Sequence, residues 1–166
     1  MKNSKTRDLV YMALYAAMFV VLDLVTIWRM PQGGSINLSS IALLLASYHL
    51  GWKKGAICGL VANGLLYVTG SMNFYGSVIS LFFDYLFAYT AYGFASLFPN
   101  AKYFYSGIVI TSLIRLACST FSGCVAWETP LWASLGYNAE YIIPVMVIDM
   151  VVVPLIFEKL KPIINK

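Results

Sequence analysis

Six apolar runs follow one another along the chain, at about 8–28, 36–50, 54–70, 75–97, 104–126 and 139–157, with turn signals between them. Each approaches the roughly 20 residues a helix needs to cross the hydrocarbon core, the second and third being shorter. In lipid, backbone N–H and C=O groups must be satisfied internally, so helices are the structure such runs can take. Charge supports this reading: 11% of the residues are charged and 60% hydrophobic, whereas about a quarter of a soluble domain is charged. The expectation is an all-α integral membrane protein of six transmembrane helices, a single membrane-embedded domain over residues 1–166. A second segment that tilts or re-enters is the alternative.

Basic residues set the expected orientation. With six spans, Lys2, Lys5, Arg7, Lys53, Lys54, Lys102, Lys159, Lys161 and Lys166 share one side, Arg29 falls on the other and Arg115 lies within a span. The positive-inside rule then gives an N-in, C-in topology. The first apolar run is long and no clear small-residue cleavage site follows it, so no cleavable signal peptide is expected. His49 is the only histidine, and Cys58, Cys118 and Cys124 lie in apolar runs without metal-ligand spacing. A histidine triad, a metal centre and a resident cofactor are therefore not expected, and the net charge of +4 calls for no nucleic acid partner.

The stretch from Thr111 to Tyr141 carries the most chemistry. Arg115, Ser119 and Ser122 recur at i, i+4 and i+7, which forms one polar helix face. Gly123 permits close backbone approach. Trp127 stands at the outer end, as a belt anchor or overhanging that face. Trp132 lies in the following loop, and Tyr137-Asn138 opens the last span. Opposite them, the fourth span holds Asp84 and Tyr85. A carboxylate at that depth is costly and a functional candidate by default, the competing reading being an ion pair with Arg115 or Asp149. Together Asp84, Tyr85, Ser119, Trp127 and Asn138 suit a small, flat, polar heteroaromatic ligand, including a cationic one.

Other features frame this constellation. Pro31 is expected to end the first helix, and Gly33-Gly34 to form a flexible outer loop, either a lid or a plain connection. Gly55, Gly59, Asn63 and Tyr67 make a stripe on the third span, small at one end and polar at the other. Ala13 and Ala17 leave a flat strip on the first helix, suited to internal packing or to an approaching helix. No nucleophile with a nearby base, carboxylate pair within one segment or phosphate-cradling loop is present, so the chain is not expected to be an enzyme.

The motifs MPQGGS at 30–35, Asp84-Tyr85, Arg115-x3-Ser119-x2-Ser122-Gly123-x3-Trp127 and YNAEY at 137–141 resemble the thiamine-specific substrate-binding subunits (S components) of energy-coupling factor transporters, over nearly the whole chain. The resemblance implies the six-helix S-component fold in the bacterial cytoplasmic membrane. It also implies a vitamin captured from outside, and partners comprising a membrane coupling subunit and two ATPase subunits. Trp127 matches a stacking Trp and Asn138 a hydrogen-bonding Asn of the thiamine pocket. Ala13 and Ala17 match the small-residue motif presented to the coupling subunit. The chain departs from the family at Asp84 (commonly Glu), Ser119 (commonly His) and Ala133 (a pocket Tyr), and has no aromatic near Gly33. Trp132 or Tyr137 would refill the space, and pyridoxine or the hydroxymethylpyrimidine moiety of thiamine become alternative ligands. A stand-alone oligomeric secondary transporter or channel, with Asp84, Arg115 and Asp149 as an ion path, is the reading from another class.

Overall fold

Apolar sequence becomes helix almost throughout. The computed structural model describes residues 2–75, 77–101 and 103–164, with side chains from residue 5 onward. Lys102 and Lys166, and the side chain of Lys2, which count towards the charge asymmetry, lie outside the described residues. Six helices are present among the described residues: α1 (Lys2–Leu24), α2 (Ser39–Leu50), α3 (Trp52–Val68), α4 (Val78–Tyr92), α5 (Ser106–Ala126) and α6 (Leu131–Ile164). By length and composition, α5 and α6 are long and apolar enough to cross a membrane. The outward faces are apolar, with Leu14, Val21, Leu60, Leu113, Val147 and Val151 exposed. Such a surface suits hydrocarbon rather than water.

Two short ribbons depart from an all-α fold. β1 (Thr26–Arg29) pairs antiparallel with β2 (Ser35–Asn37), and β3 (Asn100–Ala101) with β4 (Phe104–Tyr105). The first apolar run is therefore not one helix to residue 28. α1 stops at Leu24, and the β-branched Val25-Thr26-Ile27 leads into a strand, where such side chains fit a pleated backbone. Pro31 consequently shapes a hairpin turn instead of ending a helix. Within that turn the Met30 N–H donates to the Gly34 carbonyl at 2.7 Å, and Gly33 has φ +100°, a conformation that favours glycine.

The second run, already read as short, gives a helix shorter than the run itself. α2 has 12 residues, about 18 Å of helix, against the roughly 30 Å of a hydrocarbon core. Every residue from Ser39 to Ser47 is buried, which makes α2 the centre of the bundle, packed by α1, α3 and α6. Its start is capped from outside the helix: Asn37 Oδ1 accepts from the Ser39 N–H at 3.2 Å and the Ser39 hydroxyl at 2.7 Å.

Glycines set the spacing next to it. A Cβ on Gly55 would stand 2.7 Å from the Gly93 carbonyl oxygen, and one on Gly59 2.9 Å from Thr90 Cα, so α3 and α4 meet backbone to backbone. Gly55, Gly59 and Asn63 are buried, whereas Tyr67 is 60% exposed and ends the stripe outside the bundle. Asn63 Nδ2 donates to the Gly59 carbonyl of its own helix at 2.8 Å, not to a neighbouring helix.

Basic residues gather at one end. Lys54 pairs with Asp8 at 2.6 Å, and Arg7, Asp8 and Lys54 border a recess shared with Ile163 and Ile164 near the end of α6. On α1, Tyr15, Ala16 and Phe19 point into the core, while Ala13 and Ala17 are exposed. The small-residue strip therefore does not serve internal packing.

Candidate functional site

At the end of the bundle opposite the basic residues, α4, α5, α6 and the β1–β2 turn surround a cavity of about 680 Å³. Small-molecule sites occupy roughly 300–1,000 Å³. The local fold of α4 explains how its acid reaches this space. Its middle, Leu81–Phe87, is π-helical, a widened turn that is rare and occurs mostly at functional sites. Asp84 lies within it. The Ser80 and Ser122 hydroxyls both donate to Asp84 Oδ2, each at 2.6 Å. The Ser119 hydroxyl stands beside the same carboxylate. The serine face of α5 thus points at Asp84, and hydrogen bonds to an ionised acceptor are about twice as strong as neutral ones.

Arg115, on the same face, is 5% exposed and lines the cavity. Its guanidinium lies over the Tyr89 ring at 4.7 Å, with Tyr141 at 5.8 Å and Tyr92 at 5.9 Å. Its terminal nitrogens donate to the hydroxyls of Tyr89 at 3.3 Å and Tyr92 at 3.4 Å. The ion pair with Asp84 or Asp149 is not made: among the described residues the ion pairs are Lys54–Asp8 and Lys161–Glu158. Aromatic faces take that role, since a ring quadrupole attracts a cation without a carboxylate.

Aromatic and amide groups complete the walls. Trp127, at the end of α5, meets Tyr75 edge-on, with ring centroids 5.5 Å apart. Tyr75 has φ +47°, uncommon for a bulky residue. The Tyr85 hydroxyl accepts from the Asn73 N–H at 2.7 Å. The Tyr137 hydroxyl accepts from the N–H groups of Gln32 at 3.2 Å and Gly34 at 3.3 Å, fastening the hairpin turn to α6. Gly34 rests on the Tyr141 ring, where an added Cβ would lie 2.6 Å from Cε1. Asn138 accepts from the Tyr141 hydroxyl at 2.6 Å and donates to the Ser134 carbonyl at 2.8 Å. A Cβ on Gly123 would overlap the Ser134 hydroxyl, so this glycine lets α5 and α6 close together.

Of the candidate residues, Asp84, Tyr85, Ser119, Gly123, Trp127, Tyr137, Asn138, Gly33 and Gly34 all border the cavity, as does Ala133. Trp132 does not; it is 79% exposed. The last helix begins at Leu131, not near residue 139, so Trp132 is helical and points about 100° away from its neighbour Ala133. It cannot refill the space at Ala133. Several lining residues escape a sequence reading: Ser80, Tyr75, Asn73, Tyr89 and Tyr141. Ser80 was accessible through its four-residue spacing from Asp84. Asn73 lies before the fourth apolar run, and Tyr75, read as the start of that run, sits in the connection ahead of α4, which begins at Val78.

A half-buried carboxylate on a π-turn, tyrosine and tryptophan walls, a hairpin turn on the cavity's edge and apolar outer faces define a membrane protein with a cavity for a small molecule. The sequence profile of the family described as Thiamine transporter protein matches residues 9–165, and the chain belongs to that family. It is 31% identical to the Thiamine transporter ThiT of Bacillus subtilis (strain 168), over 90% of this chain and 89% of the relative. A shorter similarity, 34% over 43% of this chain and 38% of the relative, is to the Pantothenic acid transporter PanT of Lactococcus lactis subsp. cremoris (strain MG1363).

Proposed function

We propose that this chain is the thiamine-capturing S component of an energy-coupling factor importer in the bacterial cytoplasmic membrane. The observation that carries the reading is the Asp84 carboxylate, set on the cavity wall with both serine donors on one oxygen, Oδ2. Its other oxygen is then placed for a ligand's cation or exocyclic amine, and thiamine offers both a thiazolium and an aminopyrimidine. Trp127 and Tyr75 supply ring faces for stacking. The hairpin turn at Gly33-Gly34, fastened by Tyr137, closes the mouth.

The chain crosses the membrane six times, N-in and C-in, with the basic end on the cytoplasmic side. The short α2 completes its crossing through β2, so residues 35–50 act as one traverse. ATP hydrolysis belongs to two partner subunits, and the exposed Ala13/Ala17 strip docks on a membrane coupling subunit.

Titration of the purified chain with thiamine, pyridoxine and hydroxymethylpyrimidine, read by calorimetry, tests the ligand. Thiamine is expected to bind tightest, with Asp84→Ala and Trp127→Ala abolishing it. Wild-type affinity in both variants would sink the site assignment. Replacing Ala13 and Ala17 by Leu should stop uptake while leaving binding intact. Uptake by this chain alone in liposomes would instead establish a self-sufficient transporter.

A further inference from the structure

The recess at the basic end of the bundle, between α1, α2, α3 and the end of α6, has a volume of about 170 Å³. Sites for drug-sized molecules occupy roughly 300–1,000 Å³, so this one takes a small group and not a second vitamin. Arg7, Lys54 and Asp8 reach it. Lys54 and Asp8 pair at 2.6 Å, and among the described residues Arg7 is in no ion pair. With His49 neutral, the recess carries one positive charge in surplus.

Ring contacts join α1 to α2 along its wall. The Tyr15 hydroxyl and His49 Nδ1 share a hydrogen bond of 2.9 Å, and the Tyr11 ring stands 4.8 Å from the His49 ring. On the α6 side the wall is apolar. Ile163 borders the recess and is 70% exposed, so the recess opens there onto the outer surface of the bundle. Val10 and Leu14 are also exposed. They follow Arg7 by three and seven residues and share its side of α1. A basic head thus meets an apolar track running towards the middle of the bundle.

We infer that this recess binds the phosphate group of an anionic phospholipid. The Arg7 guanidinium holds the phosphate together with Lys54, whose ammonium has three donors and gives one to Asp8. The acyl chains lie along Val10, Leu14 and Ile163. Free phosphate would gain nothing from that apolar edge. Basic pockets between helices at the cytoplasmic face take lipid headgroups, and the leaflet there has a negative surface potential. That part of the argument rests on the proposed N-in topology; the identity of the vitamin has no bearing on it.

The test titrates the full chain in detergent micelles with phosphatidylglycerol or with phosphatidylcholine, whose choline cancels the phosphate charge, and follows the first bound lipid by native mass spectrometry. Wild type is expected to prefer phosphatidylglycerol, and inorganic phosphate at equal concentration should not displace it. Arg7→Gln and Lys54→Gln should each weaken phosphatidylglycerol about fivefold, as loss of one basic contact with an anionic lipid does, and leave phosphatidylcholine nearly unchanged. Asp8→Asn should strengthen phosphatidylglycerol, because it removes the opposing carboxylate and frees Lys54. Lys53→Gln should change nothing, since Lys53 lies over the Trp52 ring at 5.4 Å and outside the recess. Were the Lys54–Asp8 pair only a support of the fold, Lys54→Gln and Asp8→Asn would act alike, lowering Tm without altering the lipid preference.

Equal affinity of wild type for the two lipids, displacement by inorganic phosphate, or a weaker hold on phosphatidylglycerol in Asp8→Asn overturns the inference. So does a loss in Lys53→Gln as large as in Arg7→Gln, which would mean diffuse attraction by the whole basic end. If Lys54→Gln does not assemble, Arg7→Gln decides, because Arg7 is exposed and outside any ion pair among the described residues: a lost preference supports the inference and a kept one overturns it. Micelles offer lipid to either end of the chain, so the orientation is tested separately. Labelling of a Lys53→Cys chain from outside intact cells would overturn the topology, whereas the lipid titration alone decides the site.

Discussion

The two ends of the bundle are held together by different means. At the basic end, α2, α3 and α4 close to backbone contact. The Ser47 hydroxyl donates to the Gly93 carbonyl at 2.6 Å and accepts from the Ser96 N–H at 3.0 Å. A side chain on Gly93 would run into the backbone of Gly55 and Ala56. At the cavity end, tyrosines line the space between the helices, and two serine hydroxyls bridge the gaps, Ser122 to the Asp84 carboxylate and Ser134 to the Thr120 carbonyl. Close packing leaves no slack, so strain there is felt by the whole fold. The spaced end leaves a cavity and a hairpin fastened by two hydrogen bonds. Substitutions at the first end should therefore act on stability, and those at the second on binding.

The largest effect is expected at Gly93. Gly93→Leu should prevent assembly, and Gly93→Ala should destabilise by about 1–3 kcal/mol or more, read as a lowered Tm of the purified protein. Thiamine affinity of the folded Gly93→Ala fraction should match wild type; a normal Tm, or a selective binding defect, would break the contrast. Asp84→Ala should do the reverse. Losing the charged partner of the ligand costs about 2–5 kcal/mol of affinity, while Tm should fall far less than in Gly93→Ala, since Asp84 is only half-buried.

Tyr137→Phe sharpens the comparison within the cavity end. It deletes the acceptor for Gln32 and Gly34, at about 0.5–1.5 kcal/mol per hydrogen bond. Stopped-flow fluorescence should then show ligand leaving several-fold faster, and an unchanged release rate would mean the hairpin does not gate. Trp127 and Trp132 form a pair for comparison. Trp127→Phe should remove most of the ligand-induced fluorescence change, whereas Trp132→Phe should alter affinity by less than about 0.5 kcal/mol, as surface substitutions do.

The smallest effects belong to glycines that touch no neighbouring helix. A Cβ on Gly64 or Gly136 would meet nothing within 4 Å. Gly64→Ala and Gly136→Ala should each stabilise by about 0.4–1 kcal/mol, by restricting the unfolded chain. Destabilisation comparable to that of Gly93→Ala would show that contact with backbone is not what distinguishes Gly93.

Much of this molecule was legible from residue order. Periodicity put Arg115, Ser119 and Ser122 on one face, and all three are buried on the side of α5 that meets Asp84. The cost of an acid among apolar residues singled out Asp84 before any partner was known. Spacing also gave the glycine stripe of α3. It failed where the backbone left the regular helix. The start of α6 at Leu131 turned Trp132 outward, and the strand after Leu24 turned Pro31 into a hairpin residue. The hairpin forms by pairing with residues 35–37, and α6 begins just after Pro130; neither follows from the extent of an apolar run.

By itself, then, the sequence determined an apolar helical protein and the helix faces that carry chemistry, because burial preferences and the 3.6-residue period act locally. Its motifs also carried the family. Tertiary structure alone decided which partners those faces meet. It set Asp84 between serines on a π-turn, gave Arg115 tyrosines instead of an acid, and left Asp149 without a hydrogen bond. Partnership in a bundle depends on how far apart the helices stand and at what register, and both are set by contacts distant in sequence.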